Sequence, residues 1–185
     1  MVTHHSAEEA MKRYILSAGA LLFAAPVFAQ APAPVTAVGT TRSIWEQYAS
    51  YNLRSAEQMP EADYSFKPVS TVRSFGQLIG HIAGAQYSFC AAALGEKPRA
   101  EDDIEKTVTT KDGLVAALKA SGEYCRKAYA MSDADASGMT KIFGMDQSKL
   151  WVLGLNATHI GEHYGNLVTY QRIKGLIPPS SQPRQ

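Results

Sequence analysis

Apolar residues recur at three- and four-residue spacing in four stretches of the chain, and each stretch is bounded by residues that start or stop a helix. From about Thr40 to Met59 the stripe is Ile44, Trp45, Tyr48, Tyr51, Ala56 and Met59, and Pro60 helps to end it. Residues 61–73 follow, with Pro60 and Pro68 as interruptions and a Val69-Ser-Thr-Val72 run, which predicts an extended loop. Ser74 with Gln77 three residues on fits a capping box, and Phe75, Leu78, Ile79, Ile82, Ala85 and Phe89 carry a second helix to about Leu94. Residues 95–109 form a polar, mainly acidic connection containing Pro98. A third helix, capped by Thr109 or Thr110, places Leu114, Leu118, Ser121, Cys125 and Ala128 on one face until about Met131. After an Asp-, Ser- and Gly-rich loop over 132–144, a fourth helix runs from about Asp146 to Lys174, with Gly175 as its stop and Pro178-Pro179 beyond. Four amphipathic helices and no convincing strand predict an all-α fold, a four-helix bundle.

Polar residues interrupt two of these stripes. His81 lies roughly 40° to 120° from the core positions of helix two, so it can face a neighbouring helix. Gly76, Gly80 and Gly84 form a row on another side of the same helix; a solvent-facing row is the simpler reading, and close approach of another backbone is the other. On helix four one face collects Val152, Leu155, Asn156, His159, His163, Asn166 and Tyr170, an apolar stripe with polar groups set into its middle. His159 and His163 are one turn apart, roughly 6 Å along the axis, so both imidazoles can reach one metal ion.

Composition adds few constraints. The 185 residues, 45% hydrophobic and 19% charged with a formal net charge of +1, suit one globular domain and leave no basic footprint for nucleic acid or an anionic membrane. The N-terminus changes the picture more. Lys12-Arg13, an apolar run from Tyr14 to Ala25, and Val27-Phe28-Ala29 predict a secretory signal peptide over residues 1–29, cleaved after Ala29, with Met11 the better start. About a dozen apolar residues are too few to span a bilayer, which needs about 20. Residues 30–39 read as a flexible Pro/Ala/Thr leader, and 180–185 as a tail. Export implies a periplasmic or secreted protein. Cleavage removes His4 and His5 and leaves His81, His159 and His163 as the histidines of the mature chain. Export also makes Cys90 and Cys125 candidates for a disulfide, with two buried free thiols as the alternative. No C-x-x-C-H is present, which excludes covalent c-type haem.

In a bundle, one histidine from helix two and a pair from helix four can converge. Three imidazoles leave a fourth position open, as in catalytic zinc sites; nickel or another metal that favours imidazole suits the same set. The alternative is three ordinary buried histidines. His159 to His163 also reads as H-x-x-E-H, in which Glu162 would be the general base of an inverted zinc peptidase. Against that, no Asp or Glu follows Glu162 to supply the third ligand, and Glu162 points roughly 60° from His159 and 100° from His163. Glu162 remains a candidate catalytic or supporting carboxylate.

Arg73-Ser-Phe-Gly-Gln-Leu-Ile-Gly-His81-Ile-Ala, His159-x-x-x-His163 and Gly175-Leu-Ile-Pro-Pro179 together resemble the DinB-like four-helix bundle family, over about residues 40–179. The resemblance implies an up-down-down-up bundle with a long crossover between helices two and three. It further implies a divalent metal held by His81, His159 and His163, and frequent homodimers. Some members act as thiol-dependent transferases or isomerases on small molecules. Gly165-Asn166 departs from the Arg-Gly-Gln-like run common after the last histidine, which bears on substrate contacts and leaves the ligands untouched. With that crossover, helices two and three run parallel. Cys90, 16 residues into the one, then stands level with Cys125, about 15 into the other, as a disulfide requires.

Two functions follow as expectations. One is a metal-dependent hydrolase or thiol transferase acting on a small molecule, with Asn156, Asn166, Tyr170, Tyr51 and Asn52 lining the site. The other is a non-catalytic metal- or ligand-binding module of the cell envelope. A polar pocket beside the metal would favour the enzyme, and a ligand sphere sealed by Trp151, Val152 and Leu155 the module. Export weighs against thiol transfer, because small thiol cofactors belong mainly to reducing compartments.

Overall fold

The computed structural model describes residues 35–183; the signal peptide expected over 1–29 and the first part of the leader lie outside them. Four long helices form the bundle: α1 (Ala37–Gln58), α2 (Phe75–Leu94), α4 (Lys111–Ala128) and α6 (Lys149–Ile173). Between α2 and α4 the crossover carries a short helix, α3 (Asp103–Thr107). Between α4 and α6 lie α5 (Asp133–Ala136) and the strands β1 (Met139–Ile142) and β2 (Met145–Ser148). No described helix is long and apolar enough to cross a membrane.

Level contacts fix the direction of each helix. Gln86 donates to Ser121 Oγ at 3.0 Å, and one turn further Cys90 and Cys125 are disulfide-bonded with Cα atoms 5.3 Å apart, so α2 and α4 are parallel. Asn52 donates to the Ile160 carbonyl and Ser55 to Gln171 Oε1, so α1 and α6 are parallel as well. The remaining seams are antiparallel: Phe75 meets Tyr170 while Phe89 meets His159, and Trp45 stacks on Tyr129 at 4.5 Å. This is the up-down-down-up order, in which two parallel neighbours require a connection that returns along the whole bundle.

The crossover lies on the glycine row. A Cβ on Gly80 would stand 2.8 Å from Glu105 Cα, and one on Gly84 would stand 2.0 Å from the Glu101 carbonyl oxygen. All three glycines are buried, so the simpler expectation of a solvent-facing row is corrected: Gly80 and Gly84 let α3 and its lead-in rest directly on α2, while Gly76 faces Tyr64 and Leu114.

Several boundaries also differ from expectation. Helix α1 begins at Ala37, capped by Thr36, three residues before Thr40, and Val38 is buried. The capping box of Ser74 and Gln77 and the end of α2 at Leu94 stand as read, and Gly95 (φ +76°) turns the chain out of the helix. Residues 139–148, read as loop and helix start, are instead an antiparallel hairpin turning on Phe143 (φ 51°) and Gly144 (φ 76°). Two consecutive left-handed residues make the tight turn whose twist matches the strands. Helix α6 therefore starts three residues later than expected, capped by Ser148, whose hydroxyl accepts from the Trp151 amide at 3.1 Å.

Candidate metal centre

The capping box sets the first turn of α2, and His81 follows two turns later on the side facing α6. Antiparallel packing brings it level with the histidine pair of α6. His81 Nε2 lies 3.3 Å from His159 Nε2, and His163 Nε2 lies 3.0 Å from the same atom. One ligand atom from each ring falls within 4.8 Å of the other two. A tetrahedral ion with bonds of about 2.0–2.1 Å separates its nitrogen ligands by roughly 3.3 Å, which matches both separations from His159 Nε2, while the third pair lies within 4.8 Å. His81 and His163 are buried and His159 is half-buried, with the Phe89 ring edge-on to it at 5.2 Å.

Electrostatics favour neutral rings, the form that ligates. Burial pushes His81 down to about 4, with the Arg73 guanidinium and His163 adding to the effect. His159 falls to about 3, again chiefly through burial and then through its two histidine neighbours. Burial also lowers His163, although the Glu162 carboxylate opposes it. Each ring keeps its Nδ1 on the side away from the cluster. The Asn166 carboxamide stands 3.3 Å from His163 Nδ1, whereas Nδ1 of His81 and of His159 are buried without a hydrogen-bond partner. His81 Nδ1 faces Glu105 Oε2 at 3.8 Å.

The remaining expected site residues divide into two groups. Asn166 and Tyr170 line an open cavity of about 620 Å³ that reaches His163, together with Lys67, Arg73 and Glu105. Tyr170 donates to the Arg73 carbonyl at 2.6 Å. The other three pack elsewhere. Asn156 is buried in the bundle core, with Nδ2 3.2 Å from Tyr129 Oη and 3.5 Å from Cys90 Sγ. Asn52 is buried in the α1–α6 seam, and Tyr51 stacks on Tyr164 there at 5.0 Å. Glu162 is exposed on α6. Trp151 is also exposed and does not close over the histidines.

Arg73 and Glu105 are the site residues that sequence reasoning missed. Arg73 Nε lies 3.1 and 3.0 Å from the two oxygens of Glu105, and the pair separates the His163 cavity from a groove of about 810 Å³ running between the N-terminal ends of α2 and α4. Arg73 was visible in the run leading to His81. Glu105 sits in an acidic connection with nothing to mark it out, and only its place opposite Gly80 reveals it.

The family model described as the DinB superfamily matches residues 45–167. Among solved structures, a DinB-like protein from Bacillus cereus ATCC 10987 superposes with a TM-score of 0.65 at 16% identity, over 75% of this chain and 93% of that one. YfiT from Bacillus subtilis, described as "a probable metal-dependent hydrolase with an unusual four-helix bundle topology", gives 0.60 at 15% identity over 76% and 89%. A mycothiol-dependent maleylpyruvate isomerase gives 0.60 at 16% identity over 70% of this chain, which spans about 60% of that protein's length. These likenesses are of fold. A comparison with curated protein sequences gives no match.

Proposed function

The chain belongs to the DinB superfamily, and from that premise we propose that it is an exported protein holding one divalent metal, zinc or nickel, through His81, His159 and His163, and acting on a small molecule as a hydrolase or transferase. The convergence of the three Nε2 atoms carries the reading. When bound, such a metal lowers the pKa of a coordinated water or thiol and so supplies a nucleophile at neutral pH.

The chain's own residues do the rest. The three rings are held neutral by burial and present lone pairs to one point. Arg73 and Lys67 place positive charge at the rim of the cavity beside His163, suited to an anionic group of a substrate, and the Asn166 carboxamide can donate to it. That open cavity supports the enzyme over the non-catalytic binding module, for which a sealed ligand sphere would be expected. Oxidising conditions after export favour hydrolysis over thiol transfer.

Elemental mass spectrometry on the untagged chain, beside His163→Ala, tests the metal. About one zinc or nickel per chain, lost in the variant, is expected; no metal in either, after attempted reconstitution, would refute the proposal. An N-terminus at Gln30 in the exported fraction, and a homodimer by light scattering, are the expected results for processing and assembly.

A further inference from the structure

Outside the three ligands, the carboxylate nearest the cluster comes from the crossover. We propose that Glu105 is a positioning residue for His81, and that the glycine row of α2 exists in this chain to bring it there. The inference rests on the metal reading above and deepens it.

Three observations converge. His81 Nδ1 is buried with no hydrogen-bond partner, and it faces Glu105 Oε2 at 3.8 Å, just beyond bonding distance. The carboxylate is itself held, because Arg73 Nε donates to both of its oxygens and Tyr170 donates to the Arg73 carbonyl. Its backbone is fixed as well. Gly80, the residue before His81, lets Glu105 Cα and N approach to where a Cβ would lie 2.8 and 3.0 Å from them, and Ile104 is buried beside it.

The chemistry follows from the two nitrogens of one ring. A carboxylate beside Nδ1 favours the tautomer with its proton there, which leaves the Nε2 lone pair directed at the cluster. A cation held at Nε2 would make the Nδ1 proton a stronger donor toward the Glu105 carboxylate, 3.8 Å away. The crossover is thereby coupled to the site: a group that binds Arg73 from the cavity competes with Glu105 for the guanidinium and alters the support of His81.

The test uses the untagged full chain with Zn²⁺ alone, titrated against a chromophoric chelator, and ¹⁵N shifts of the His81 ring in the metal-free protein. Glu105→Ala should weaken zinc binding by about 10–100-fold. Glu105→Gln, close in shape and still able to accept a hydrogen bond, should lose less and guards against misfolding of the first variant. In the metal-free chain the His81 ring should carry its proton on Nδ1 and shift toward Nε2 in Glu105→Ala. Unchanged affinity in both variants overturns the proposal. So does a loss of affinity with the tautomer unchanged, since a distant charge can act on the ion without orienting the ring. If the unsubstituted chain takes up no zinc, the metal reading fails, and the tautomer measurement alone decides whether Glu105 orients His81.

Discussion

Replacing Gly84 by alanine tests whether the crossover rests on α2 as closely as the structure has it. The new Cβ would lie 2.0 Å from the Glu101 carbonyl oxygen and 2.9 Å from its carbon, whereas ordinary contact begins at 3.4 Å. The backbone at Glu101 must therefore retreat by about 1.4 Å (3.4 less 2.0), which a flexible side chain could do cheaply and a main chain cannot. Overpacking of this kind costs about 1–3 kcal/mol, and a backbone clash belongs at the upper end. Alanine recovers about 1 kcal/mol of helix propensity over glycine, leaving a net loss of about 1–2 kcal/mol. Gly122 of α4 supplies the control, because a Cβ there meets nothing within 4 Å and Gly122→Ala should gain up to about 1 kcal/mol. At about 2–4 °C per kcal/mol for a chain of this size, the two variants should move the melting temperature in opposite directions, by several degrees overall. Urea unfolding followed by circular dichroism gives the same comparison through midpoints at unchanged slope. If Gly84→Ala proves as stabilising as Gly122→Ala, the crossover does not sit on the glycine row, and the path that brings Glu105 to His81 goes with it.

Two further outcomes are expected. In the metal-free protein the histidine cluster makes stability depend on pH: an unfolded histidine takes its proton near 6.5, while His81 holds out to about 4 and His159 to about 3, so the unfolded state binds more protons in that interval. This contribution is complete above pH 6.5 and is lost as the pH falls through about 4 for His81 and about 3 for His159, and the slope should flatten in the double variant His81→Ala/His159→Ala; an unaltered slope in equilibrium unfolding would show the rings are not desolvated. The disulfide joins residues 35 apart, for which chain entropy gives about 3–4 kcal/mol. Cys90→Ala/Cys125→Ala should lower stability by that order, and a pair of curves that coincide in urea would mean the bridge does not form.

The legibility of this chain varied from element to element. Several local signals read true: Ser74 and Gln77 at the head of α2, the Thr109-Thr110 pair of which Thr110 caps α4, and Gly175 after α6. These signals are local, a few residues reaching their own backbone, and no distant partner can override them. The hairpin was missed because its strands are four residues each, with one buried residue between them, and its turn places Phe143 in a left-handed conformation that asparagine or glycine would have announced. The Phe143 ring instead rests edge-on against Phe89, 5.9 Å away, a contact between residues 54 positions apart.

At the candidate site the same division holds. His159 and His163 could be paired from their spacing, because one helical turn is a local fact. That His81 joins them depends on α2 and α6 being antiparallel neighbours, and here the resemblance to a known family supplied what periodicity could not. Tyr51 and Asn52 carried the right chemistry on a helix whose side of the bundle no pattern reveals, and they pack in the α1–α6 seam. Sequence by itself determined the four helices, the heads of α2 and α4 and the chemistry of one histidine face, all set by the period of 3.6 residues and the reach of a side chain to its own turn. Tertiary structure alone decided which faces meet: the glycine row shows in the sequence at a spacing of four, but whether solvent or another backbone covers it depends on a segment some twenty residues away.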